Sequence, residues 1–202
     1  MAVVAGVLFL AFVYFVFGKA AVLRNGAQTA ADAAALGAAQ DARDQLREGW
    51  LDVAGDPAQW QVFIQGSGYT ADRACQKAID FASVNDALLL REDCLPSELG
   101  FTVTVQTKGT VGESIVPGAD LPATATASAV IEPLCTFDPP EQSSEPSPGA
   151  DPSPSPEEPE DEEPEPISGL DCGGEEWVID PADPELPGAE DLFSVRLTGD
   201  NE

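Results

Sequence analysis

The chain has 202 residues, with 36 acidic and nine basic side chains, no histidine and a net charge of −27. That balance makes nucleic acid and anionic lipid surfaces poor partners, and the lack of imidazole excludes Ser-His-Asp, Cys-His and histidine metal chemistry. An apolar N-terminus and a proline-rich stretch leave about a hundred residues for one small domain.

The chain begins with an uncharged run, Ala2 to Gly18 (AVVAGVLFLAFVYFVFG), that passes without proline into an alanine-rich stretch, Lys19 to Glu48. Alone the run makes ~26 Å of helix, short for a bilayer; with Lys19 snorkelling, the apolar length reaches Leu23 and ~33 Å. We expect one continuous helix of ~70 Å, with residues 1–23 as a transmembrane anchor and residues 24–48 projecting from it. A buried core helix would not normally sit at the extreme N-terminus and continue into a polar helix. A cleaved signal would show a basic segment before a shorter apolar run.

In the projecting half, small residues recur four apart in two adjacent rows: Gly26, Ala30, Ala34, Ala38, Ala42 and Ala27, Ala31, Ala35, Ala39. Helical geometry makes these a smooth stripe that another backbone can approach closely. Gly26, Ala30, Ala34 and Ala38 are therefore candidate helix-packing positions, within the chain or between subunits. The competing reading is alanine chosen only for helix propensity.

Gly49, Gly55 and Pro57 are expected to end the helix, ahead of a small α+β domain over residues 49–135. Ala58 to Ile64 reads as a short helical turn, and Thr70 as the N-cap of a second helix from Ala71 to about Ser83. Asn85-Asp86 is turn-like, and Leu88–Leu90 leads to Cys94. Phe101 to Thr107 alternates apolar and polar residues as a strand does. A looser segment, Gly109 to Pro122, joins it to a second strand, Ala123 to Ile131. An antiparallel pair against helices is the simplest closure.

Phe137 to Pro166 holds ten prolines and eleven acids with no Lys or Arg. Residues 136–170 are accordingly expected to form a disordered Pro/Glu-rich insert. Residues 171–202 are expected to return to the domain through short strands at Glu176–Ile179 and Leu192–Leu197.

Cys75, Cys94, Cys135 and Cys172 are an even number behind an export-type N-terminus, which favours two disulfides in an oxidising compartment. A four-cysteine zinc site would show pairs two to four residues apart, whereas the closest pair here is 19 apart. Four cysteines allow three connectivities; we expect Cys75–Cys94 and Cys135–Cys172, the second clamping the ends of the insert. No phosphate-loop, dinucleotide, zinc-protease or EF-hand pattern occurs. Asp180, Asp183 and Glu185 lack the central glycine and bidentate glutamate of a calcium loop. No cofactor, metal or catalytic group is expected.

The segment VAGVLFLAFVYFVFGKAAVLRNGAQTAADAAALGAAQDAR, with its apolar anchor and Gln28-Thr29-Ala30-Ala31-Asp32-Ala33-Ala34-Ala35-Leu36, resembles the N-terminal region of TadG-like proteins. These are assembly components of bacterial Flp (tight-adherence) pili. Ala78 to Asn85 (AIDFASVN) followed by the Phe101–Val105 strand is more loosely similar to the same family. The resemblance implies a single-pass membrane protein with a pseudopilin-like helix, an exported domain and no catalytic activity. The chain departs from the family in beginning almost inside the anchor, without the short polar leader, so a start further upstream is expected.

Lys19 and Arg24 flank the domain side of the anchor, which by the positive-inside rule would keep the domain in the cytoplasm. The cysteines and the acidic insert argue the reverse, and we expect an extracytoplasmic domain. The expectation is a structural part of a Tad-type pilus or related envelope machine, in contact with the membrane and other pilin-like subunits. The alternative is a membrane-tethered binding module whose acidic insert meets cationic ligands.

Overall fold

The computed structural model describes residues 2–110, 122–139, 165–180 and 185–199. The first element, α1 (Ala2–Asp52), is one helix of 51 residues, ~76 Å long at 1.5 Å per residue. It runs beyond its expected end at Glu48. Gly49 remains helical, and the ring of Phe63 fills the space beside it: a Cβ built there would run into Cε1 of that ring. The next residue, Trp50, is fully buried and holds the last turn in the core.

A 3-10 turn (Pro57–Gln59) follows, with Asp56 as its side-chain cap, and then α2 (Trp60–Ile64). The next helix, α3 (Ala71–Val84), buries Ala74, Cys75, Ala78 and Ala82, a spacing of three and four that gives one apolar face. Thr70 occupies the N-cap position, but its side chain makes no capping bond. Gln45 serves that end instead. Its Oε1 accepts the Thr70 N–H at 2.9 Å, and its Nε2 donates to the Thr70 carbonyl at 3.3 Å.

The remaining elements are β1 (Ala87–Leu88), β2 (Cys94–Ser97), β3 (Gly100–Thr110), β4 (Pro122–Pro133), β5 (Cys135–Phe137), β6 (Ile167–Cys172), β7 (Glu175–Ile179), α4 (Ala189–Leu192) and β8 (Phe193–Thr198). The expected antiparallel pair is the centre of a five-stranded sheet ordered β1-β3-β4-β8, with β2 also paired to β3. All its pairings are antiparallel. The expected strands were too short: β3 and β4 each extend further toward the intervening segment, whose residues 111–121 lie outside the described residues.

The period of two sorts the central strands cleanly. Phe101, Val103, Val105, Ala127, Ala129 and Ile131 are buried. Thr102 and Thr104 alternate with them and pair hydroxyl to hydroxyl with Ser128 at 2.8 Å and Thr126 at 2.9 Å. Across the buried face lies the second half of α1, which packs against α3, β3, β4 and β8.

A second, three-stranded sheet, β5-β6-β7, corrects the limits expected for the insert. Thr136 and Phe137 pair with Asp171 and Leu170, so both ends of the 136–170 range are strand. Phe137 and Leu170 are buried, and two apolar residues were diluted by the proline- and acid-rich composition between them. Residues 140–164, where the disorder was expected, lie outside the described residues. The small sheet is joined to the main core through aromatic stacking. Trp60 sits between Trp50 and Phe137, with ring centroids 5.4 and 4.7 Å away.

Candidate functional site: an apolar arm rooted in the core

The two halves of α1 have opposite surroundings. From Ala27 onward, the alanines of both small-residue rows are fully buried, and the pattern continues through Leu46 and Trp50. Before it, Val3, Val7, Leu8, Phe9, Leu10, Phe15 and Phe17 are all largely exposed, with Tyr14 at 83%. Val7, Leu8, Phe9 and Leu10 are consecutive, and at 3.6 residues per turn four successive positions go round the helix, so the exposed apolar surface covers its circumference rather than one stripe. An all-round apolar surface suits a solvent of apolar chains. It does not suit a one-sided groove. The run from Val3 to Leu23 is ~30 Å long, the thickness of a bilayer's hydrocarbon core. This is the one helix among the described residues long and apolar enough to cross a membrane.

Small side chains explain how the arm is rooted. Alanine rows let the sheet and α3 approach the α1 backbone without large side chains between them. Of the candidate packing positions, Ala30, Ala34 and Ala38 are fully buried within the chain. Gly26 is not in the packing: nothing lies within 4 Å of a Cβ built on it. Its row emerges from the domain one turn before Ala30. The stripe is therefore filled inside the domain, against a sheet and one helix.

The cysteines form two bridges. Cys75–Cys94 joins α3 to the first residue of β2, and Cys135–Cys172 links directly paired residues of β5 and β6. The first ties the helical layer to the main sheet. The second joins the first residue of β5 to the last of β6, at the end of that strand pair away from Phe137 and Ile167, where the chain leaves and re-enters the small sheet.

Where the arm enters the domain, the end of the β3–β4 hairpin stands beside it. A Cβ on Gly109 would lie 3.8 Å from Leu23 Cδ2, and Thr110 pairs with Pro122 across the hairpin. Lys108 is fixed by its backbone N–H to the Asp86 carbonyl at 2.8 Å. Its Nζ donates to the Ser83 carbonyl and hydroxyl, each at 3.1 Å. Lys19 and Arg24 are exposed at the same end of the domain.

Displaced titrations sit elsewhere and have structural causes. The hydrogen bond from Arg196 holds the Glu132 carboxyl below its ordinary range, and the same contact raises Arg196. Partial burial raises the Tyr69 hydroxyl, which reaches the Ser97 carbonyl at 3.4 Å. Among the described residues, no group of three or more carboxylates or cysteines could hold a metal ion. Of the acids weighed for calcium, Asp183 lies outside the described residues.

Sequence reading missed Gln45, which is 8% exposed and also donates to Asp41 at 2.8 Å. The available signal was its place one turn after Asp41 on the edge of the alanine stripe. Comparison of the chain with protein-family models, curated proteins and solved structures gives no match.

Proposed function

We propose that this chain is a single-pass, non-enzymatic membrane protein, with its apolar arm in the bilayer and its disulfide-bonded domain on the extracytoplasmic side. The observation that carries this reading is the division of one uninterrupted helix into a bare apolar half and a half buried at the centre of the domain. Burial of the arm's apolar surface is worth tens of kcal/mol at ~25 cal/mol per Å², which supports a stable anchor. The two bridges support an oxidising compartment.

Within that class, we place the chain as a structural or assembly part of a Tad/Flp-type pilus or a related envelope machine. Support comes from the pilin-like division of α1 and from the order of anchor, Gln-Thr-Ala-Ala-Asp segment and alanine rows. The arm remains available to lie beside other apolar helices. The alanine rows do not, because the chain's own sheet and α3 occupy them.

Two measurements test the reading. The full-length protein should stay in the membrane fraction through high-salt and carbonate washes, and recovery in the soluble fraction would sink the anchor. Affinity purification from detergent-solubilised membranes of the native cell should bring down pilus secretion components. Unchanged pilus display in cells lacking this chain would instead favour a tethered binding module.

A further inference from the structure

We propose that the uncovered face of the main sheet is a self-association surface, on which a second copy of this chain packs sheet against sheet with both arms in one bilayer. The common bilayer rests on the anchor reading above; the surface itself does not.

The buried face of the sheet lies under α1 and α3. On the other face Thr102 and Thr104 of β3 stand beside Ser128 and Thr126 of β4, and all four are open to solvent in part or in full. Leu95, paired with Thr102, and Leu88, paired with Gln106, border them and are 58% and 50% exposed. The hydroxyls bond to one another, Thr102 with Ser128 and Thr104 with Thr126. Those bonds persist when water is removed, so covering this face leaves no hydroxyl stranded. What a partner meets is methyl groups and leucine.

Charge selects the partner. The chain carries −27 overall, and two copies repel wherever their acids meet. Among the described residues of this face the only charges are Glu132 and Arg196, which bond to each other, Nε to Oε1, at 2.9 Å. A strongly charged partner finds no counterpart here. A second copy finds a patch without net charge, the condition under which two such acidic domains can touch.

Area and direction admit the pair. Four strands across and about eight residues along give roughly 500 Å² per copy, or ~1,000 Å² together, the lower limit for a specific interface. Confinement of both copies to one membrane raises their effective concentration and offsets the small area. The helix α1 runs along the strands, not across them. Leu23 lies beside Gly109. At the other end of β3, Gln45 holds Thr70, and the neighbouring Tyr69 ring is 5.8 Å from that of Phe101. A two-fold axis parallel to the strands therefore points both arms the same way. Sheets packed face to face cross at about 30°, so each arm leans ~15° from that axis, within the usual tilt of membrane helices. At about 10 Å per layer the arms stand roughly 30 Å apart and do not touch.

The test is cross-linking of the full-length protein in phosphatidylcholine vesicles with a short bismaleimide. Single added cysteines are placed at Thr126 on the face, Val7 on the arm and Asp80 on α3, all exposed. In protein that floats with the vesicles, Thr126→Cys should give several-fold more covalent dimer than Val7→Cys or Asp80→Cys. Adding Gln106→Glu, which brings unpaired carboxylates to the face, should cut the Thr126 dimer several-fold with melting unchanged. Should Thr126→Cys fail to fold, Thr124→Cys takes its place. Equal dimer at Thr126 and Asp80 in floating protein would overturn the self-association and leave the anchor standing. Dimer at Val7 without dimer at Thr126 would assign the pairing to the arms and overturn it as well. Protein that does not float overturns the anchor reading and the common bilayer, and the same three positions then decide the surface in solution.

Discussion

A methyl group on Gly37 would stand 2.5 Å from Cδ2 of Phe81, the ring by which α3 closes on α1. Gly26, eleven residues earlier on the same helix, has nothing within 4 Å. The two glycines should therefore respond to alanine with opposite signs. Overpacking at Gly37 costs about 1–3 kcal/mol, which outweighs the ~1 kcal/mol that alanine returns in a helix interior. Gly37→Ala should lower the denaturation midpoint of the full-length protein in detergent, and Gly26→Ala should raise it. A Gly37→Ala protein as stable as wild type would show that the ring yields freely.

Gln45→Ala should destabilise by about 0.5–1.5 kcal/mol, because it removes two part-buried hydrogen bonds that hold the Thr70 N–H and carbonyl. Thr70→Ala should change stability by less than about 0.5 kcal/mol, since its side chain caps nothing. An ordinary N-cap threonine would have cost ~1 kcal/mol. Denaturant melts of the two variants in parallel decide between these assignments.

The bridges predict a local response to reduction. Replacing Cys135 and Cys172 by serine should cost roughly 2–4 kcal/mol, with the loss concentrated in β5, β6 and β7. Hydrogen exchange should accelerate at Leu170 and Trp177 while Val103 and Ala129 stay protected. Non-reducing peptide maps should contain Cys75–Cys94 and Cys135–Cys172, and any crossed pair contradicts the fold.

Phe193 is 1% exposed and begins the strand that pairs with β4. Phe193→Ala should cost about 3–5 kcal/mol. Trp177 is only partly buried at the edge of the core, so its alanine variant should lose less. Deleting Gln142 to Pro164 removes a stretch whose only apolar side chain besides proline is Ala150. Closure entropy changes by about 0.6 kcal/mol per halving of a loop, so melting should scarcely move. A large drop would show that those residues pack against the domain.

The Glu132–Arg196 contact gives a pH signature. Its cause is the Arg196 hydrogen bond, Nε to Oε1 at 2.9 Å, with a second bond from Nη2 to the same oxygen. Because the folded-state pKa of Glu132 is lowered from 4.5, its contribution is present above that value and lost as pH falls through the lower, folded one. The carboxylate is open to solvent, so the effect should be small. Glu132→Gln should remove that part of the acid-side slope, and identical slopes would show that the pair adds nothing.

What sequence could reveal depended on whether the signal was local. The alanine rows, the alternation of Phe101, Val103 and Val105, and the apolar run all record a single face or a single environment, and each was legible. β2 was not, because Cys94-Leu95-Pro96-Ser97 shows no alternation and exists through its pairing with β3. The end of α1 was misread because glycine's low propensity was overridden by Phe63 and by the burial of Trp50. Phe137 and Leu170 were lost inside a biased composition, although Cys135 and Cys172 marked the border. Gln45 acts on a residue 25 positions away, and such a partner is invisible before the fold exists.

The continuity of α1 also has a mechanical consequence. Its helix passes from Leu23 to Ala27 without interruption, so there is no flexible tether between the apolar arm and the folded mass. A pull along the helix axis is delivered straight to the alanine seam, where it acts as shear spread over the contacts with α3 and the main sheet. The bridges lie outside that line of force, one between α3 and β2 and the other in the small sheet. Resistance to extraction is thus set by the length of the seam, and the domain's tilt follows the arm's tilt rigidly.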